Sequence, residues 1–212
     1  MNEVVQEMTA KLILDSTKVG WHRERVEAWH RGERVAPITM DIAWTRRCNA
    51  ACNFCAAKTQ ASASLSLDIP RDVAFQFLED AAEIGVKGIS LISDGESSLV
   101  DYYAESIEYA DKLGIKVGLG TNGINFDRAL LERILPHVTY MRFNFSAGER
   151  KRYSEIMGVK EPIYDKVIGN IKDAVYIVKA GGLQTNLNMN LVSDPKDGDQ
   201  LMPFSRLAKS LG

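Results

Sequence analysis

Only three cysteines occur in this 212-residue chain, alongside three histidines and six prolines. An odd number of thiols is no disulfide framework, which takes pairs and usually a short secreted chain. Charge of one sign is missing as well: 26 Lys and Arg stand against 28 Asp and Glu, a formal net charge of −2. There is no basic arm or stripe, so no nucleic-acid partner is indicated. No apolar run approaches the length of a membrane span. The first ten residues carry Glu3 and Glu7 and lack the basic-then-apolar pattern of a secretion signal. The expectation from these absences is a cytoplasmic protein with no membrane partner. The remaining composition, 45% hydrophobic and 25% charged, is that of an ordinary globular domain.

The chain divides into residues 1–37, a helical lead-in, and residues 38–212. Val4, Met8, Leu12 and Ile13 in the lead-in lie at helical spacing, and Trp21, Val26 and Trp29 sit in a charged stretch closed by Gly32 and Pro37. From residue 38 strands and helices alternate. Strands are expected over 39–45, 88–93, 115–121, 138–146 and 183–192. Helices are expected over 70–84, 101–113, 127–135, 163–180 and 199–211, with Asp127 as a helix cap and Gly85 and Gly114 as stops. Residues 56–66 are rich in Ala and Ser and read as a loop. Five strand–helix units predict an α/β fold with a parallel sheet and right-handed crossovers, whose chemistry gathers at the carboxyl ends of the strands.

The three thiols lie within eight residues, as Cys48-x3-Cys52-x2-Cys55, directly after the first strand. Clustered thiolates are soft ligands that suit zinc or an iron–sulfur cluster. Structural zinc asks for a fourth ligand, and none of His22, His30 and His137 has finger-like spacing to the cysteines. A simple electron carrier normally has a fourth cysteine. Three sulfurs around a cubane leave one iron open to a further ligand.

Cys-x3-Cys-x-aromatic-Cys, with Phe54 as the aromatic, resembles the signature of the radical S-adenosylmethionine (SAM) superfamily. The resemblance implies a partial (β/α)6-type barrel and a [4Fe–4S] cluster on Cys48, Cys52 and Cys55. It implies SAM chelated on the open iron and cleaved reductively to a 5′-deoxyadenosyl radical that abstracts hydrogen from a substrate. Phe54 would then lie beside the adenine. Asp94-Gly95-Glu96, after the second strand, resembles the family's Gly-Gly-Glu-Pro turn at the methionine ammonium, with Asp94 in place of the first glycine and Ser97 in place of the proline. Thr121-Asn122-Gly123 resembles the family's Thr-Asn-Gly after the third strand. Ser146, ending the fourth strand, matches a position used near the ribose or carboxylate of SAM. Asn188 and Asn190 match positions on the fifth strand that contact ribose or adenine.

Alternation adds to this reading. Asn186, Asn188 and Asn190 share one face of their strand, and Tyr140, Arg142 and Asn144 share one face of theirs. The run Ser146-Ala147-Gly148, then Tyr153-x2-Ile156-x-Gly158, then Val167-x2-Asn170-Ile171, resembles the SPASM/twitch branch of the family, as does Trp29-x2-Gly32-x4-Pro37. The implied partners are a small-molecule or peptide substrate and an electron donor such as flavodoxin or ferredoxin. The substrate itself is not legible. Five of the expected six strand–helix units are present, so the sixth is expected beyond Gly212. The competing function is a zinc-stabilised binding module without catalysis.

Overall fold

A computed structural model of the chain describes residues 20–56, 68–92 and 94–212. The chain falls into two units, Met1–Ile38 and Thr39–Gly212. In the first, helix α1 (Arg23–His30) buries none of its residues. The guanidinium of Arg25 donates to the carbonyls of Ala36 and Pro37, folding the following segment back on the helix. Val4, Met8, Leu12 and Ile13 lie outside the described residues, as does most of the Ala/Ser-rich loop.

The second unit runs β1 (Thr39–Asp41), α2 (Arg71–Glu83), β2 (Gly88–Leu91), α3 (Tyr103–Lys112), β3 (Lys116–Thr121), α4 (Arg128–Ile134), β4 (Val138–Asn144), α5 (Arg150–Met157), α6 (Pro162–Gly181), β5 (Asn186–Asn190) and α7 (Leu201–Leu211). The five strands pair in parallel in the order β1-β2-β3-β4-β5. A sequential order with crossovers of one hand puts the helices on one face of the sheet. On that face Val117, Leu119, Met141 and Phe143 are buried in the core. Asp127 caps α4 as expected, its side chain accepting from the backbone N–H of Leu130 at 2.8 Å.

The opposite face is polar. Gly118 and Gly120 of β3 stand in register with Tyr140 and Arg142 of β4. Tyr140, Arg142 and Asn144 stand in register with Asn186, Asn188 and Asn190 of β5. The shared faces inferred from alternation are thus brought side by side.

Two differences from expectation bear on the site. β1 stops at Asp41 because the chain then turns inward to bury Trp44, which is 1% exposed. The Trp44 ring sits edge-on to Phe77 and Tyr102, and its indole N–H donates to Ser106 Oγ at 3.0 Å. That burial fixes the start of the cysteine loop. Its far stem returns at Asp68, which bridges Thr45 as an isolated antiparallel pair. Asp68 also accepts from Thr45 Oγ1 at 2.5 Å and from Arg47 at 2.7 Å through both carboxylate oxygens. The second difference is α5, a helix the sequence reading left out. Its buried residues Tyr153, Ile156 and Met157 lie at i, i+3 and i+4.

Candidate functional site

The cysteine loop, the turn after β2, the turn after β3 and the end of α5 enclose one cavity of about 450 Å³ at the carboxyl ends of the strands. Cys48, Cys52 and Cys55 are on its wall, with Phe54 between them. Asp94, Gly95 and Glu96 line it from β2, Gly120 and Asn122 from β3, Asn144 from β4 and Met157 from α5. Four loops from consecutive units meet here because every strand of a parallel sheet delivers its following turn to the same end.

Two close approaches shape the cysteine loop. Gly95 has φ +72°, and a Cβ there would stand 2.2 Å from the carbonyl oxygen of Thr45 and 2.8 Å from that of Arg47. The N–H of Glu96 donates to the Arg47 carbonyl at 2.8 Å. The glycine thus lets the β2 turn lie directly on the loop's first stem. From the other side, the N–H groups of Ala51 and Asn53 donate to the carbonyls of Met157 and Ile156 at 3.0 and 2.9 Å. These are the free carbonyls at the end of α5, so the helix end itself holds the loop. Cys52 Sγ stands 3.8 Å from Met157 Sδ.

Glu96 is 3% exposed and its carboxylate is turned inward. Oε1 accepts from Ser98 Oγ and Thr121 Oγ1, both at 2.8 Å, and Oε2 accepts from the N–H of Asn122 at 2.7 Å. Burial pushes its pKa up, and hydrogen bonds from Asn122, Ser98 and Thr121 oppose that rise. Asn122 is braced in turn. Its Oδ1 accepts from the N–H of Ile124, and its Nδ2 donates to Asn49 Oδ1 at 2.7 Å and approaches Cys48 Sγ at 3.7 Å. The Cys48 thiol is held above its ordinary pKa by desolvation and then by the nearby Glu96 charge, against hydrogen bonds from the backbone of Ala50 and from Asn122.

Of the residues singled out from sequence, the structure brings Cys48, Cys52, Cys55, Phe54, Asp94, Gly95, Glu96 and Asn122 to one cavity. Thr121, Ser146, Asn188 and Asn190 are not among its lining residues. Thr121 is buried and serves Glu96 and the N–H of Gly123. Ser146 is fully buried with φ +54°, and its Oγ accepts from the N–H of Val192 at 3.2 Å, joining the ends of β4 and β5. Asn190 accepts the N–H groups of Phe145 and Ser146 on its carbonyl. Asn188 is exposed and borders a separate 230 Å³ pocket between β5 and α7.

Site residues absent from the sequence reading are Met157, Gly120 and Arg46, the last 3.8 Å from Asp94. The Tyr153-x2-Ile156-x-Gly158 pattern was the available signal for α5, and Val167-x2-Asn170-Ile171 has an equally concrete basis. Asn170 Nδ2 donates to the carbonyls of Gly123 and Phe126 at 2.8 and 3.0 Å, tying α6 to the β3 turn.

Three thiols on one cavity wall, without a fourth, suit a metal–sulfur group that keeps one position open. Among the described residues no three His, Cys, Asp or Glu side chains are grouped to hold a single metal ion. A cubane spreads its ligands over separate irons, so its thiolates stand farther apart than those around one ion. Among the described residues two buried polar atoms lack a hydrogen-bond partner, Arg142 Nε and the hydroxyl of Tyr153. Burial, and then the Cys52 charge, push the Tyr153 phenol well above its ordinary pKa.

A S-adenosylmethionine-dependent nucleotide dehydratase from Flammeovirga pacifica is 26% identical over 168 residues, 75% of this chain and 57% of that protein. Streptococcus suis SuiB bound to its precursor peptide SuiA superposes with a TM-score of 0.68 at 19% identity, covering 94% of this chain and 43% of SuiB. Native anSMEcpe with bound AdoMet superposes with a TM-score of 0.62 at 15% identity, covering 82% of this chain and 49% of that one. The chain therefore spans little more than half of the dehydratase and under half of the two solved structures. Among the described residues no helix is long and apolar enough to cross a membrane. The model of the radical SAM superfamily matches residues 42–190, most of the sheet and the entire cysteine cavity, and the chain belongs to that superfamily.

Proposed function

We propose that the cavity holds a [4Fe–4S] cluster and SAM, and that the protein is a cytoplasmic radical SAM enzyme acting on a polar, anionic substrate. The observation that carries this is the gathering of three thiols, an aromatic ring and the β2 and β3 turns on one cavity wall in a chain of this family. Cys48, Cys52 and Cys55 would hold the cluster. When bound, it supplies the electron that cleaves SAM and starts radical chemistry. Phe54, 37% exposed, offers a ring face to the adenine. The turn at Asp94 and Gly95 would receive the methionine ammonium through backbone carbonyls and the Asp94 carboxylate. Glu96 serves from behind, fixing the β2 and β3 turns against each other. Asn122 orients the Cys48 side of the loop. Met157, Ala50 and Ile92 give the cavity apolar walls that exclude water. An electron donor such as flavodoxin or ferredoxin would serve the cluster, and the SPASM/twitch-like segments favour that branch. The alternative, a zinc-stabilised module, needs a fourth ligand.

The substrate class follows from the polar sheet face. Arg142 stands in register with Gly120, which lines the cavity, and two residues before Asn144, which also lines it. Its Nε is buried without a partner. A carboxylate or phosphate on the substrate satisfies a guanidinium with paired, charge-assisted hydrogen bonds. Nucleotides and peptides, named for the dehydratase and for SuiB, both carry such groups. R142Q is expected to raise the KM about tenfold or more, since a hydrogen bond to a charged group contributes about 1.5–3 kcal/mol. SAM cleavage without substrate should be unchanged. Equal loss in both assays would assign Arg142 to SAM or to folding instead.

The test of the function is anaerobic reconstitution of the full-length protein. The expected result is about four iron and four sulfide per chain, with 5′-deoxyadenosine formed on addition of SAM and dithionite. Bound zinc at about one per chain, with no deoxyadenosine from the iron-loaded protein, contradicts the proposal.

A further inference from the structure

The hydroxyl of Tyr153 is a buried donor that the fold leaves unused. Tyr153 and Met157 are four residues apart on α5 and so share a face. Met157 Sδ lies 3.8 Å from Cys52 Sγ, which turns that face toward the cysteine loop. Tyr153 is 0% exposed, with its ring 4.4 Å from the Phe145 ring and 5.5 Å from the Tyr164 ring. Rings packed this way cannot swing the hydroxyl out to water. Buried hydroxyls are nearly always paired, so an orphan one asks for a partner. The Met157 contact sets Cys52, on the wall of the cavity, against this same face of α5.

We propose that the Tyr153 hydroxyl donates a hydrogen bond to sulfur of the loaded site, either the Cys52 thiolate or a cluster sulfide, and thereby raises the cluster's reduction potential. The proposal rests on the reading that a cluster binds here. Reduction adds negative charge to the cluster, and a donor aimed at its sulfur stabilises that charge, so the reduced state gains more than the oxidised one. Tyr153 thus tunes the ease of the electron step from the protein side, without contact to substrate.

The test is Y153F in the full-length protein, reconstituted anaerobically and titrated potentiometrically by EPR without SAM. Iron and sulfide content should match the wild type. At a fixed solution potential the ratio of reduced to oxidised cluster should fall about tenfold, a midpoint lower by about 59 mV for one electron. Before reconstitution the variant should melt at the wild-type temperature or above it, because phenylalanine removes an unpaired hydroxyl. Incorporation of 3-fluorotyrosine at 153, a stronger donor of the same shape, should move the midpoint up. A full cluster with an unchanged midpoint in both variants overturns the proposal, and so does a metal-free Y153F protein that melts well below wild type. Failure of the underlying reading looks different: wild type and variants alike take up no iron and sulfide, and the role of Tyr153 falls with it.

Discussion

Replacement of Gly158 by alanine is expected to prevent loading of the proposed cluster without altering a single cysteine. Gly158 ends α5 in the left-handed region, at φ +62°. A Cβ at this position would stand 2.4 Å from the carbonyl oxygen of Ala51 and 2.7 Å from its carbonyl carbon. Those are backbone atoms, so no rotamer change relieves the clash, and the left-handed conformation itself costs an L-residue about 1–2 kcal/mol. The loop must move away, which breaks the bonds from Ala51 and Asn53 to the end of α5. Each contributes about 0.5–1.5 kcal/mol, so the total loss is about 2–5 kcal/mol. Ala51 directly precedes Cys52, so iron incorporated per folded chain should fall tenfold or more. Gly169, in the middle of α6, is the control: nothing lies within 4 Å of a Cβ there. G169A should load normally and gain about 0.5–1 kcal/mol. Normal iron content in G158A would show that the α5–loop contact does not position the ligands.

The second large effect is expected at Glu96. Alanine there leaves the hydroxyls of Ser98 and Thr121 and the N–H of Asn122 without their acceptor, inside the protein. At about 1–3 kcal/mol for each stranded group, softened because hydroxyls rotate, E96A should cost about 3–5 kcal/mol. Denaturant unfolding measures it, and a change under 1 kcal/mol would contradict the account. Gln should be far milder. Its oxygen accepts from Asn122, while its amide donates to the two hydroxyls. The pH dependence separates the two forms further. Burial raises the folded pKa of Glu96 above the ordinary carboxylate value of 4.5. A raised carboxyl favours the fold while protonated, and that stability is lost as pH climbs from 4.5 through the folded pKa. Wild type should lose stability relative to E96Q over that window, with the gap constant below it.

The parallel sheet was legible because each strand and helix carries its own periodicity and its own stop, such as Gly85, Gly114 and the Asp127 cap. The cysteine loop was legible because Cys48, Cys52 and Cys55 fall within eight residues of one another. The role of Glu96 was not. Sequence alone presents a carboxylate in a polar turn, and only the third dimension brings Ser98, Thr121 and Asn122 around it. Helix α5 is not legible because half of its eight residues are charged and only three are buried. Ser146 shows the same limit in reverse. Its place at the end of β4 marks it in sequence as a ligand candidate, and only the structure adds that its hydroxyl accepts from the N–H of Val192.

If the three loop thiols leave one iron corner open for a sulfonium nucleoside, EPR of the reduced, reconstituted full-length protein, recorded with and without SAM, will show it. One cluster signal is expected, shifting when SAM is added and lost when any one of Cys48, Cys52 or Cys55 is replaced by alanine. A signal indifferent to SAM, or one that survives loss of a loop cysteine, rules the open corner out.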